Sequence, residues 1–230
     1  MRPEVRISQQ LTEDAARLIA DAAQAGAHIA LTGGSTPKAA YARAAELDAD
    51  WSRAELWFGD ERCVPPDQEH SNFKMANDTL LSKVEPRAVH RMKGELGPDA
   101  GAAGYARELA SAFGAADVPE LDLVLLGLGP DAHCASLFPN NPELGIRDRW
   151  VAGVDHPGMA PLVPRITFTL PVLNAGRQVV FLVSGEEKAE AVARAFGSDR
   201  KTPDAPSSLL EPRGEFVLLC DAAAASHLRP

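Results

Sequence analysis

The sequence predicts an α/β protein built on an open, mostly parallel sheet, and three observations carry that reading. Short apolar runs alternate with amphipathic helical stretches along most of the chain. One run, LDLVLLGLG at 121–129, is apolar at nearly every position, as a strand buried on both faces of a parallel sheet must be. Three strand candidates also run into polar loops rich in Gly, Pro, Ser or Asp, at 32–37, 59–66 and 127–139.

The elements follow in order. Residues 11–25, LTEDAARLIADAAQA, put Leu11, Ala15, Leu18, Ile19 and Ala22 at helical spacings, and Gly26 ends the helix. HIALT at 28–32 is too short for a helix and stops at Gly33-Gly34, so it reads as a strand. STPKAAYARAAEL then opens a helix, with Ser35 or Thr36 as cap and Pro37 in the first turn. AELWFGDERCVPP reads as a short apolar strand entering a polar loop, followed by a helix over 72–81. An alanine-rich helix is expected over 100–113, just before LDLVLLGLG. RITFTL and RQVVFLVSG supply further strands, EEKAEAVARAF a helix and GEFVLLCD a final strand. HPGMAPLVP at 156–164 suits a loop that rims a pocket better than an interdomain linker. Together these imply one Rossmann-like domain over residues 1–230, with helices on both faces of the sheet and right-handed crossovers. In such sheets ligands bind beyond the carboxyl ends of the strands, where the three polar loops begin.

Composition narrows the function classes. With 230 residues, 45% hydrophobic and 24% charged, the chain can bury a sizeable core. A formal charge of −9 argues against a general nucleic-acid binder, which needs a concentrated basic surface. Local cations can still hold a small anion. Cys63, Cys134 and Cys220 show neither metal-ligand spacing nor a disulfide framework, so a reducing compartment is expected. No segment approaches the ~20 apolar residues of a membrane span and MRPEVRISQQ lacks an apolar core, so the expectation is a cytoplasmic protein without membrane partners.

LTGGSTP joins a strand, two glycines, two hydroxyl residues and a helix start. The N–H groups of Gly34, Ser35 and Thr36 can therefore converge on a phosphate at the positive end of the helix; the alternative is an ordinary capped turn. In FGDERCVPP, Asp60, Glu61 and Arg62 leave the strand together. Arg62 can make a bidentate phosphate contact or a local ion pair. Lys188, after a strand and a glycine, and Arg165, opening RITFTL, can face the same end, or be a solvated lysine and an ordinary ion-paired arginine.

His133 follows the buried strand and a Gly-rich turn, a place from which imidazole can exchange a proton near neutral pH. Asp131, two residues earlier, can orient the ring, compensate developing positive charge or bind sugar hydroxyls, or cap a helix starting near Ala132 in whose first turn His133 merely packs. HCASLF is no Gly-x-Ser-x-Gly elbow, so a Ser136 nucleophile is not expected, and Cys134 reads as a buried thiol.

The segments LTGGSTP, WFGDERCVP, LDLVLLGLGPDAHCASLFP, RITFTLPVLNAG and FLVSGEEKAEAV, with the late PDAPSSLL, strongly resemble the 6-phosphogluconolactonase family. That resemblance implies hydrolysis of 6-phospho-D-glucono-1,5-lactone to 6-phospho-D-gluconate in the oxidative pentose phosphate pathway, without a cofactor. It implies Gly34, Ser35, Thr36, Arg62 and Lys188 at or near the phosphate, with Arg165 an addition, and Gly33 and Asp60 are further substrate-site candidates. His133 would be the acid/base group and Asp131 its support. The implied partner is the small sugar-phosphate lactone, with a monomer expected and a weak homodimer as the alternative.

One position departs from the family pattern. The family usually has Asp-Gly-His where this chain has Asp131-Ala132-His133, and alanine tolerates positive φ poorly. The favoured expectation is that the glycine serves only packing or a helix start, so that Ala132 is a small adjustment; the alternative is that it supplies a left-handed conformation, in which case the presentation of His133 must differ. Related aminosugar-phosphate isomerases and deaminases have Gly-Phe-Asn-Glu-Pro after the histidine, whereas this chain has ASLFPN and lacks the acidic residue.

Overall fold

The computed structural model describes residues 2–114 and 117–228, so the single domain expected over 1–230 extends past them at Met1, 115–116 and 229–230. The chain runs β1 (Glu4–Ile7), α1 (Leu11–Ala25), β2 (His28–Leu31), α2 (Ser35–Ala44), β3 (Glu55–Phe58), β4 (Asp60–Arg62), α3 (Asn72–Ala76), β5 (Ala88–Val89), α4 (Pro98–Phe113) and β6 (Leu123–Leu126). It continues with β7 (Val151–Val154), β8 (Arg165–Phe168), α5 (Leu170–Ala175), β9 (Gln178–Val183), α6 (Ala189–Phe196) and β10 (Glu215–Cys220).

Seven strands form the central sheet in the order β1-β10-β9-β6-β2-β3-β5, all parallel, with helices flanking it. β6 is buried at all four positions, as its unbroken apolar run requires. Each of its leucines withdrawn from water stabilises the fold by about 1.5–3 kcal/mol. From β2 the chain builds outward through β3 and β5, then returns to the other side of β2 with β6. Strand order thus reverses between β2 and β6, and the loops leaving their carboxyl ends diverge to open a crevice. Among the described residues, no helix is long and apolar enough to cross a membrane.

Three local expectations are corrected. Asp60–Arg62, read as loop, is a strand that pairs antiparallel with β8, which in turn pairs with β7 in a second, three-stranded sheet. Its polar side chains hid it: Asp60 and Glu61 are buried, yet they satisfy hydrogen bonds rather than fill an apolar core. The cap of α2 is Gly34, not Ser35 or Thr36; its φ of 115° needs a residue without Cβ, and both hydroxyl residues enter the first turn. The helix expected over 72–81 is α3 continued by a π-helical turn, Asn77–Leu81.

Two tyrosines fix the strand ends that meet the crevice. Tyr41 of α2 accepts from Thr32 N–H at 2.8 Å and donates to Thr32 O at 3.0 Å. Tyr105 of α4 does the same for Phe58, accepting at 2.8 Å and donating at 3.2 Å. Each hydroxyl satisfies both groups of the last strand residue or the one after it, so the turn beyond starts from a fixed point.

Candidate active site

A cavity of about 210 Å³ lies at the strand-order reversal. Gly33, Gly34, Ser35, Thr36, Asp60, Arg62, His133, Arg165 and Lys188 all line it, although they come from five separate segments. Of the residues expected at the site, Asp131 alone is not in the wall; it sits behind His133.

One wall is the N-terminus of α2. The first amides of a helix have no intrahelical acceptor, so those of Ser35 and Thr36 stand with the helix dipole at the cavity edge. Three cations line the same cavity. Pairing of β4 with β8 puts Arg62 directly across from Arg165, a like-charge pair that costs stability unless something negative lies between. Arg62 Nη1 donates to His70 O at 2.6 Å, while its Nε is buried without a partner. Arg165 is 3% exposed and its pKa is lowered, first by burial and then by the charge of Arg62. Its guanidinium donates to the carbonyl oxygens of Val163, Met159 and Pro161, and lies 5.8 Å from the centre of the Phe138 ring. It therefore ties down the 156–164 loop, and Met159 of that loop does rim the cavity. Lys188 Nζ donates to Leu128 O at 2.9 Å, bringing it to the same end from the turn before α6. Among the described residues, none of these three cations is in a salt bridge, so the ion-pair alternative does not hold.

The acids beside Arg62 have structural partners. Asp60 Oδ2 accepts from Ser136 Oγ at 2.7 Å, and Oδ1 from Asn72 Nδ2 at 3.1 Å. This engages the Ser136 hydroxyl, in keeping with the expectation that it is no nucleophile. Glu61 accepts from the N–H groups of Arg62, Asn72 and Phe73 and from Ser71 Oγ, securing the start of α3. Burial pushes its carboxyl up, outweighing those bonds. Asn72 was not singled out from sequence; an Asn at a helix start carries no signal that its amide reaches back to a strand twelve residues earlier.

His133 is partly buried and lines the same cavity. Nδ1 lies 2.5 Å from Asp131 Oδ1, and the ring packs 4.6 Å from that of Phe138. A Cβ on Gly129 would fall 2.0 Å from His133 Nδ1, so only glycine admits the imidazole there. Burial raises the Asp131 carboxyl, but the hydrogen bond and charge of His133 outweigh it and leave the pKa lowered. Asp131 is thus a carboxylate that sets the ring, and no helix begins near Ala132 for it to cap.

Ala132 corrects the favoured expectation. Its φ is 65°, within the left-handed region, so this position carries a backbone conformation and not only packing. The alanine adopts it nonetheless, and His133 reaches the cavity. Cys134 is fully buried, and burial pushes its thiol to about 12, which leaves no thiolate at neutral pH. Among the described residues no three His, Cys, Asp or Glu side chains converge as metal ligands.

Residues 3–218 match the family model described as glucosamine-6-phosphate isomerases/6-phosphogluconolactonase. A 6-phosphogluconolactonase of Streptomyces coelicolor is 42% identical over 233 residues, covering 93% of this chain and 88% of the relative. That of Synechocystis sp. is 40% identical over 207 residues, covering 88% and 85%. The solved 6-phosphogluconolactonase of Trypanosoma cruzi superposes with a TM-score of 0.86 at 26% identity, over 100% of this chain and 98% of that one. The chain belongs to the 6-phosphogluconolactonase family, within the wider group that includes the glucosamine-6-phosphate isomerases.

Proposed function

We propose that the protein hydrolyses 6-phospho-D-glucono-1,5-lactone to 6-phospho-D-gluconate, the lactonase step of the oxidative pentose phosphate pathway. One observation carries the reading: an imidazole set by a carboxylate shares one cavity with a helix N-terminus and three cations that, among the described residues, are in no salt bridge. A phosphorylated sugar lactone needs both halves.

The phosphate would sit between the start of α2 and Arg62, Arg165 and Lys188, where its charge relieves the Arg62–Arg165 opposition. Fixed there, the ring presents its carbonyl carbon to His133, and orientation supplies part of the rate gain. Neutral His133 removes a proton from water as its oxygen bonds to C1. The tetrahedral intermediate collapses by breaking the C1–ring oxygen bond, and the imidazolium returns the proton to the leaving oxygen. Nδ1 is held by Asp131, so Nε2 is the nitrogen that exchanges the proton, and Asp131 stabilises the cation that forms.

The test is the rate at which the purified protein opens freshly made lactones, measured against spontaneous hydrolysis, with and without the 6-phosphate. Acceleration of the phosphorylated lactone well above the other is expected. A rate equal to the background would remove the proposal.

A further inference from the structure

His133 stands between two alanines in the left-handed region, Ala132 at φ 65° and Ala135 at φ 48°. A residue with a Cβ persists there only when its surroundings hold it. For Ala132 the holding bonds can be traced. Its N–H donates to Gly129 O at 2.9 Å, and Gly129 N–H donates to His133 O at 2.9 Å, closing a turn within the loop. Its carbonyl is gripped from far along the chain: Ser207 N–H donates to it at 3.0 Å and Ser207 Oγ at 2.9 Å.

Ser207 is 1% exposed and lies in the 3-10 turn Pro206–Leu209, within the PDAPSSLL segment to which no part of the catalytic cycle has been assigned. It does not line the cavity. The Ala132 carbonyl and the His133 N–H belong to one peptide plane. Ser207 holds one side of that plane, while His133 N–H donates to Asp131 Oδ1 at 3.2 Å on the other. The plane from which the imidazole departs is therefore fixed at both edges.

We propose that Ser207 is a positioning residue for His133: by gripping the Ala132 carbonyl with two donors, it holds the left-handed turn that aims the imidazole into the cavity. The inference rests on the reading of His133 as the acid/base group.

Ser207→Ala, Ala132→Gly and the double variant test it. Ser207→Ala removes Oγ, which also bonds the Cys134 side chain, and keeps the backbone donor, so the fold is expected to be retained. Its kcat on the phosphorylated lactone is expected to fall about tenfold, with KM within about twofold of the parent. The NMR resonances of the His133 ring, including the proton shared with Asp131, should shift. Glycine at 132 adopts the left-handed conformation unaided, so in that background Ser207→Ala should lower kcat by less than about twofold. Unmoved His133 resonances in Ser207→Ala, or an equal kcat loss in both backgrounds, would overturn the assignment. The spectrum needs no turnover: a parent protein without lactonase activity would defeat the acid/base reading, while the resonances would still judge the Ser207 clamp.

Discussion

Asp131 Oδ1 lies 2.5 Å from His133 Nδ1, and the same oxygen accepts the His133 N–H at 3.2 Å. One carboxylate thus fixes both the ring and the backbone of the proposed acid/base group. Asp131→Asn should lower kcat by about a hundredfold, because a misplaced imidazole loses that order of rate, and should leave KM nearly unchanged. A rise in KM with kcat intact would move Asp131 from support of the ring to binding of the sugar.

The same pair sets a pH dependence of stability. The folded carboxyl titrates below the ordinary 3.8 of aspartate. A lowered carboxyl contributes stability that is present above the unfolded value and lost as pH falls through the folded one. Urea unfolding of the parent should therefore weaken relative to Asp131→Asn below about pH 4, since the variant has no such group to protonate. Parallel pH curves for the two proteins would show that the interaction contributes nothing.

Ala132→Gly should stabilise the protein. The left-handed conformation costs an alanine about 1–2 kcal/mol, and glycine's extra unfolded-state freedom takes back roughly 0.5–1 kcal/mol. A net gain of about 0.5–1 kcal/mol in urea unfolding is expected, with activity retained. A loss of similar size would contradict the positive φ.

Arg62 and Arg165 face each other across paired strands and, among the described residues, neither is in a salt bridge; that opposition is the signature expected of an anion site. Arg62→Ala should lower kcat/KM for the phosphorylated lactone by about 10- to 100-fold, the loss of one charge-assisted bond, with little effect on the unphosphorylated one. Equal losses on both substrates would place the phosphate elsewhere.

Burial pushes the thiols of Cys63 and Cys220 to about 11, as it pushes that of Cys134 to about 12. Native protein at pH 7.5 should therefore react slowly with iodoacetamide and keep full activity, whereas all three thiols should react in denaturant. Rapid inactivation by the reagent would reopen the case for a thiol in catalysis.

The sequence made five of the seven central strands, β2, β3, β6, β9 and β10, legible because they are apolar runs bounded at one end or both by glycine, from HIALT to GEFVLLCD. It hid the elements that are not apolar. β4 is three polar residues whose burial is satisfied by hydrogen bonds, and β1 is an exposed edge strand alternating Glu4 and Arg6 with Val5 and Ile7. In the site, Arg62, Lys188 and His133 were visible as residues following strands and Arg165 as one opening a strand, and the structure brings them to one cavity. What could not be seen was non-local. The antiparallel register that opposes Arg62 to Arg165 depends on a partner about a hundred residues on, and the conformation of Ala132 is held by Ser207. Local propensity argued against that conformation, and tertiary hydrogen bonds overrode it.

The most direct test of the account is hydrolysis of 6-phospho-D-glucono-1,5-lactone by His133→Ala beside the parent protein, each corrected for spontaneous opening. The account predicts a kcat reduced by about 10²–10⁴, the share that general acid–base catalysis supplies, with lactone binding preserved. Equal rates for the two proteins would contradict it.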